Sequence, residues 1–138
     1  MILLDTSGIL AASTPDDVNY QSARTALSAA RPPLLLSPFV LAELDYMLTR
    51  DLGQNAEALF LADVARGAYV LAPFSAQDVE VASTIIQRYA DLNIGLADAS
   101  IVVLAARTGS RDLLTFDRRH FQALRMLDGQ PFHLLPEG

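Results

Sequence analysis

The chain has 138 residues, 51% of them hydrophobic, enough apolar material for one domain with a sizeable core and incompatible with intrinsic disorder. Sixteen acidic residues face ten basic ones, for a formal net charge of -6, and there is no cysteine, which excludes disulfide scaffolds, thiolate metal sites and Cys nucleophiles. Every base is Arg, so Schiff-base and P-loop lysine chemistry is excluded, and two histidines, His120 and His133, are too few for a three-histidine metal site.

An acidic chain gains little from phosphate counterion release, so nucleic acid would need a local basic patch or a metal to bridge acid and phosphate. The apolar start Met1–Leu4 runs directly into Asp5, short of a signal-peptide core, and no stretch approaches the ~18–20 apolar residues of a membrane span. The expectation is a cytoplasmic protein with no membrane attachment, a single domain over residues 1–138.

Ile2–Leu4 predicts a buried strand, and Asp5-Thr-Ser-Gly after it a turn or helix start. From Pro15 to Ala30 an Ala-rich stretch with acids at its start predicts a helix, stopped by Arg31-Pro-Pro. Leu34–Leu36 predicts a second strand. Ser37-Pro38 then opens a helix to about Arg50, with Ser as cap and Pro at the first position. Gly53 separates it from a helix over roughly Gln54–Arg66. Tyr69–Ala72 predicts a third strand, and Ser75 caps a helix to about Ala90 with Val79, Ala82, Ile86 and Tyr89 on one face. A loop at Asp91–Leu96 leads to a nearly all-apolar helix, Ala97–Arg107, closed by Gly109. Leu113–Thr115 is a fourth strand, Asp117–Leu124 a short helix and Phe132–Leu135 a last strand. Short apolar strands alternating with helices predict an α/β fold, a parallel sheet covered by helices on both sides. Sites in such sheets form at the carboxyl ends of the strands.

Four acids fall at such places. Asp5 and Asp117 follow strands, and each fits either a helix N-cap or a site acid. Glu43 lies on the Pro38–Arg50 helix beside Val40, Leu44 and Met47, at the margin of the buried face, either as a rim acid or as part of a site. Asp98 shares a helix face with Ile101, Val102 and Ala105 on a helix that is apolar nearly all round. A carboxylate there needs a metal, a cation or the helix dipole to offset its burial. Carboxylates gathered at one sheet edge raise each other's pKa unless a divalent cation is present. Oxygen-only ligands select a hard ion, Mg²⁺ or Mn²⁺, suited to metal-assisted phosphoryl chemistry.

In this order and spacing, Leu3-Leu4-Asp5-Thr6-Ser7, Ser37-Pro38-Phe39-Val40-Leu41-Ala42-Glu43-Leu44, Gly95-Leu96-Ala97-Asp98-Ala99-Ser100 and Leu114-Thr115-Phe116-Asp117-Arg118-Arg119-His120-Phe121 resemble the PIN-domain family, and within it the VapC-type toxins of bacterial toxin–antitoxin pairs. The resemblance covers essentially the whole chain. It implies a three-layer fold with a five-stranded parallel sheet and a Mg²⁺- or Mn²⁺-dependent endoribonuclease that leaves a 5′-phosphate. It places the catalytic, metal-holding acids on Asp5, Glu43, Asp98 and Asp117. Thr6 and Thr115 become supporting hydroxyls, or alternatively ordinary turn and strand-end hydrogen-bonding groups. It also implies a homodimer and an inhibitory antitoxin partner. Arg118, Arg119 and His120, next to Asp117, are candidate RNA contacts or a solvated helix face.

Two other phosphoryl modules fit less well. A receiver-type phospho-acceptor needs a lysine, and a haloacid-dehalogenase-type phosphatase needs a second Asp where Ser7 stands. The alternative from another class is a PIN-fold interaction module with an idle metal site, acting through partner binding.

Overall fold

A computed structural model describes residues 1–137. Five parallel strands form one sheet in the order β3-β2-β1-β4-β5. They are β1 (Ile2–Leu4), β2 (Leu34–Leu36), β3 (Val70–Leu71), β4 (Asp112–Leu114) and β5 (His133–Leu135). Seven α-helices connect them: α1 (Thr6–Ser13), α2 (Tyr20–Ala29), α3 (Pro38–Leu52), α4 (Gln54–Ala65), α5 (Ala76–Arg88), α6 (Leu96–Thr108) and α7 (Arg118–Ala123). The α/β architecture with a parallel sheet of five short strands flanked by helices is the one the alternation predicts.

The first strand is central. Leu3 registers with Leu35 on one side and with Leu113 on the other, so β1 is paired along both edges. Its three residues are all buried, as a strand covered on both faces requires. The pairing continues one residue further, where the Asp5 N–H donates to the Leu114 carbonyl at 3.1 Å. At the opposite extreme, β3 is an edge strand, and both Val70 and Leu71 are exposed. It is shorter than the predicted Tyr69–Ala72 because only two of those residues register with β2.

Two helices differ from expectation. The Asp5-Thr-Ser-Gly segment continues as a full helix, α1. Its Gly8 is required by close approach: a Cβ there would lie 2.7 Å from Leu114 Cγ and 2.8 Å from the Leu114 carbonyl oxygen. The helix expected from Pro15 starts instead at Tyr20. The acids before it build a turn, with Asp17 Oδ1 accepting the Asn19 N–H at 2.7 Å and the Asp17 carbonyl accepting that of Tyr20 at 3.0 Å. Ser37 caps α3 and Ser75 forms a reciprocal capping box with Asp78 on α5. Residues 99–105 of α6 are buried without interruption, which makes this helix the spine of one layer. Among the described residues, no helix is long and apolar enough to cross a membrane.

Candidate active site

Asp5 stands in the N-cap position of α1, but its side chain caps nothing. It turns instead towards β4. The Thr115 hydroxyl donates to Asp5 Oδ2 at 2.8 Å and the Ser7 hydroxyl donates to the same oxygen at 2.7 Å. Each hydroxyl is itself an acceptor: the Phe116 N–H donates to Ser7 Oγ and the Asp117 N–H to Thr115 Oγ1, both at 2.9 Å. Two hydroxyls thus relay the backbone of residues 116–117 onto one carboxylate. The Asp5 carboxyl is nonetheless raised above its ordinary value, chiefly by burial. The Ser7 and Thr115 hydroxyls and the Thr6 backbone N–H work the other way, and the charge on Asp117 adds to the rise.

Of the two hydroxyls named from sequence, Thr115 bonds Asp5. Thr6 Oγ1 is buried and makes no hydrogen bond. Ser7 does the work that sequence reading left to Thr6. Its position two residues after Asp5, where a short side chain folds back onto its neighbour, was the available signal.

Asp98 lies in the first turn of α6, where a helix dipole would lower its pKa. The opposite holds: the carboxyl is pushed up to about 6. Burial is the largest cause and the Asp5 charge the next; His120 partly offsets them, and the charges of Asp117 and Glu43 raise it further. All three other acids are therefore close enough to be felt at Asp98. A first-turn acid serving only the dipole would not behave this way.

Glu43 is exposed, not at the half-buried margin expected for it. The buried stripe of α3 is Val40, Leu44 and Leu48, spaced strictly by four, and that drift leaves residue 43 on the open side. Its helix is tied to that of Asp98 by a buried hydroxyl pair. Ser37 Oγ accepts the Phe39 N–H at 3.1 Å, and Ser100 Oγ donates to the Ala97 carbonyl at 2.6 Å. The remaining proton, on Ser37, therefore points to Ser100 Oγ, 2.6 Å away. That bond fixes the start of α3 against α6.

Asp117 stands at the start of α7. It is the N-cap of α7, with Oδ1 accepting the His120 N–H at 3.4 Å, and it faces the other acids. His120 Nδ1 lies 2.9 Å from Asp117 Oδ2 and 4.0 Å from Asp98 Oδ2. The candidate RNA contacts separate here. Arg118 donates to the Pro136 carbonyl and so secures the chain after β5, and His120 is committed to Asp117. Arg119 alone of the three is exposed.

The four acids offer a hard cation suitable oxygen donors, and Asp98 carries an unrelieved repulsion that a cation would remove. The Thr6 hydroxyl, one residue after Asp5, is a buried polar group without a hydrogen-bond partner. Among the described residues, no three His, Asp or Glu side chains are arranged to hold an ion as they stand. Asp5 and Asp117 are both engaged by neighbours. The donor set fits a metal in chemistry and charge. A groove of about 850 Å³ runs along α2, lined by Val18, Ala26 and Ala29 among others, and none of the four acids borders it.

The PIN-domain family model matches residues 2–125, a span that contains all four acids. The chain belongs to the PIN-domain family. Within it the relatives are VapC proteins: ribonuclease VapC26 of Mycobacterium tuberculosis is 39% identical over 135 residues, 98% of this chain and the full length of that protein. Among solved structures, the PIN domain described here resembles M. tuberculosis VapC20, a sarcin–ricin loop cleaving toxin, with a TM-score of 0.79 and 22% identity over 85% of this chain and 90% of that one. It also resembles VapBC2 of Rickettsia felis bound to a promoter DNA fragment, with a TM-score of 0.66 and 19% identity over 97% and 98%. At these identities the solved structures speak for the fold.

Proposed function

We propose that this PIN-domain protein is an endoribonuclease dependent on Mg²⁺ or Mn²⁺ and the toxin of a toxin–antitoxin pair. The observation that carries the proposal is the placing of Asp5, Glu43 and Asp117 within electrostatic reach of Asp98, whose carboxyl is pushed up to about 6, chiefly by burial and then by their charges. The naming of the 39% identical relative as a ribonuclease supports the reaction class. Its near-complete coverage supports carrying that activity across the whole chain.

Asp5, Asp98, Glu43 and Asp117 would hold the metal, which when bound supplies a nucleophile from water at neutral pH and neutralises charge developing at phosphorus. The protein's own residues do the rest. Ser7 and Thr115 fix Asp5 Oδ2 before substrate arrives, so no side-chain entropy is lost at the moment of reaction. Arg119 offers an exposed cation to the RNA backbone beside the acids, where net negative charge would otherwise repel it. The buried α6 presents Asp98 from its first turn. A homodimer and an inhibitory antitoxin are part of the same reading. The likeness in fold to VapBC2 of R. felis, solved on a DNA fragment from its promoter, supports a partner chain.

The test is sequencing of RNA ends after induced expression, alongside cleavage by purified protein with excess Mg²⁺ or Mn²⁺ and with EDTA. The expected result is discrete cleavage bearing 5′-phosphates, abolished by EDTA and by Asp98→Asn. Undiminished cleavage in EDTA would refute the metal dependence. No cleavage under any condition, with an antitoxin-like partner still bound, would favour the interaction module.

A further inference from the structure

We propose that His120 is a positioning residue, whose Nδ1–H holds the Asp117 carboxylate in the orientation from which it joins Asp98 in gripping a divalent cation. The inference rests on the metal-dependent reading above and deepens it.

Asp117 is gripped at both oxygens by one residue. Its Oδ1 accepts the His120 backbone N–H at 3.4 Å, and its Oδ2 lies 2.9 Å from His120 Nδ1. An ionised carboxylate has only acceptors, so Nδ1 carries the proton in that bond. The backbone bond is long and fixes the carboxylate only loosely; the ring bond, on the second oxygen, sets its rotation. The same Nδ1 is 4.0 Å from Asp98 Oδ2, too far for a second bond but close enough to put both carboxylates beside one ring nitrogen. His120 is thus a non-acidic side chain that lies within 4.0 Å of the carboxylates of two of the four acids. N–H donors that orient metal-holding groups keep them from rotating away, and their loss weakens metal binding by about 10–100-fold. The other histidine shows what a structural pair looks like. His133 bonds Asp112 and Glu137 at the far end of β4, with none of the four acids beside it.

Substitution separates a donor at this position from a ring that merely fills space. Asn places its side-chain N–H as many bonds from Cα as Nδ1 is. Gln places it one bond farther, and Phe keeps the ring with no donor. The measurement is the affinity of the full chain for Mn²⁺ alone, by calorimetry, with melting in EDTA as the control for folding. His120→Asn is expected to bind Mn²⁺ within about threefold of wild type, and His120→Phe and His120→Gln about tenfold or more weakly. Phe and Gln are independent, so a Phe variant that fails to fold leaves the Gln comparison decisive. Wild-type affinity in a folded His120→Gln or His120→Phe, or equal loss in His120→Asn, overturns the proposal. A wild-type chain that shows no saturable Mn²⁺ binding overturns the metal-dependent reading and this inference with it, which distinguishes the two failures.

Discussion

Replacing Asp98 by Asn should make the metal-free protein more stable while destroying its activity. The carboxyl, ordinarily near 3.8, is pushed up to about 6 in the folded chain. Each pH unit of such a gap corresponds to ~1.4 kcal/mol, so holding the charged form in the fold costs about 3 kcal/mol at neutral pH. Asn keeps the shape but still buries a polar group, so about 1–2 kcal/mol of that should be recovered, or roughly 3–8 °C in Tm for a chain of this size. The sign with pH is unusual. Because the folded value lies above the unfolded one, the cost is complete above ~pH 7, shrinks as pH falls through 6 and vanishes below ~pH 4, where both states are protonated. The advantage of the Asn variant should follow the same course. Mn²⁺ at 100 times its Kd should then stabilise the wild type by about 2.7 kcal/mol and the variant far less. Thermal melts of both proteins between pH 4.5 and 8, in EDTA and in excess Mn²⁺, provide the assay. If the wild type is the more stable in EDTA at pH 8, or the difference is the same at every pH, Asp98 is not in a repulsive cluster.

Gly8→Ala should lower stability by about 1–3 kcal/mol, against the gain of ~1 kcal/mol that helix propensity alone would give, because the added methyl meets the Leu114 carbonyl at 2.8 Å; a denaturant midpoint decides the sign. Thr115→Val keeps the shape but removes a donor from buried Asp5, and should cost about 1–3 kcal/mol at pH 8. It should also push the Asp5 carboxyl higher still, so that cleavage falls more at pH 6 than at pH 8, while Thr115→Ser behaves as wild type. In the inactive Asp98→Asn background, Arg119→Ala should reduce the salt dependence of RNA binding by a slope of about 1, measured by titration at several ionic strengths. Arg118→Ala should leave that slope unchanged and lower Tm, since its guanidinium is spent on the Pro136 carbonyl.

Much of this molecule was legible in the order of its residues. Strands buried on both faces announce themselves as short apolar runs, and Ser37-Pro38 and Ser75 mark helix starts whose caps form as expected. The four acids were visible because each follows a strand or sits on a helix whose neighbours are apolar. What failed to show has physical causes. Gly8 weakens the helical signal of α1, yet it is there because β4 leaves no room for a side chain, a fact of tertiary packing. Asp16 and Asp17 look like first-turn helix acids, but Asp17 bonds its own local backbone and delays α2. The exposure of Glu43 depends on which of two overlapping stripes on α3 meets the core. Arg118 and His120 read as surface charge because their partners, a carbonyl 18 residues away and a carboxylate three back, exist only in the fold.

The pairing of the first strand with the fourth bears on how the protein is made. In synthesis, Asp5 precedes by 110 positions the Thr115 hydroxyl that anchors it. Until then β1 has no neighbour along one edge, Asp5 lacks one of its two fixed donors, and Asp117 does not yet exist. A chain translated only through α6 therefore lacks both the Thr115 anchor and the Asp117 carboxylate, however well its first half has collapsed. A premature stop or frameshift before β4 leaves a bare strand edge, a substrate for proteolysis or aggregation. The four acids stand together only in a chain made past β4.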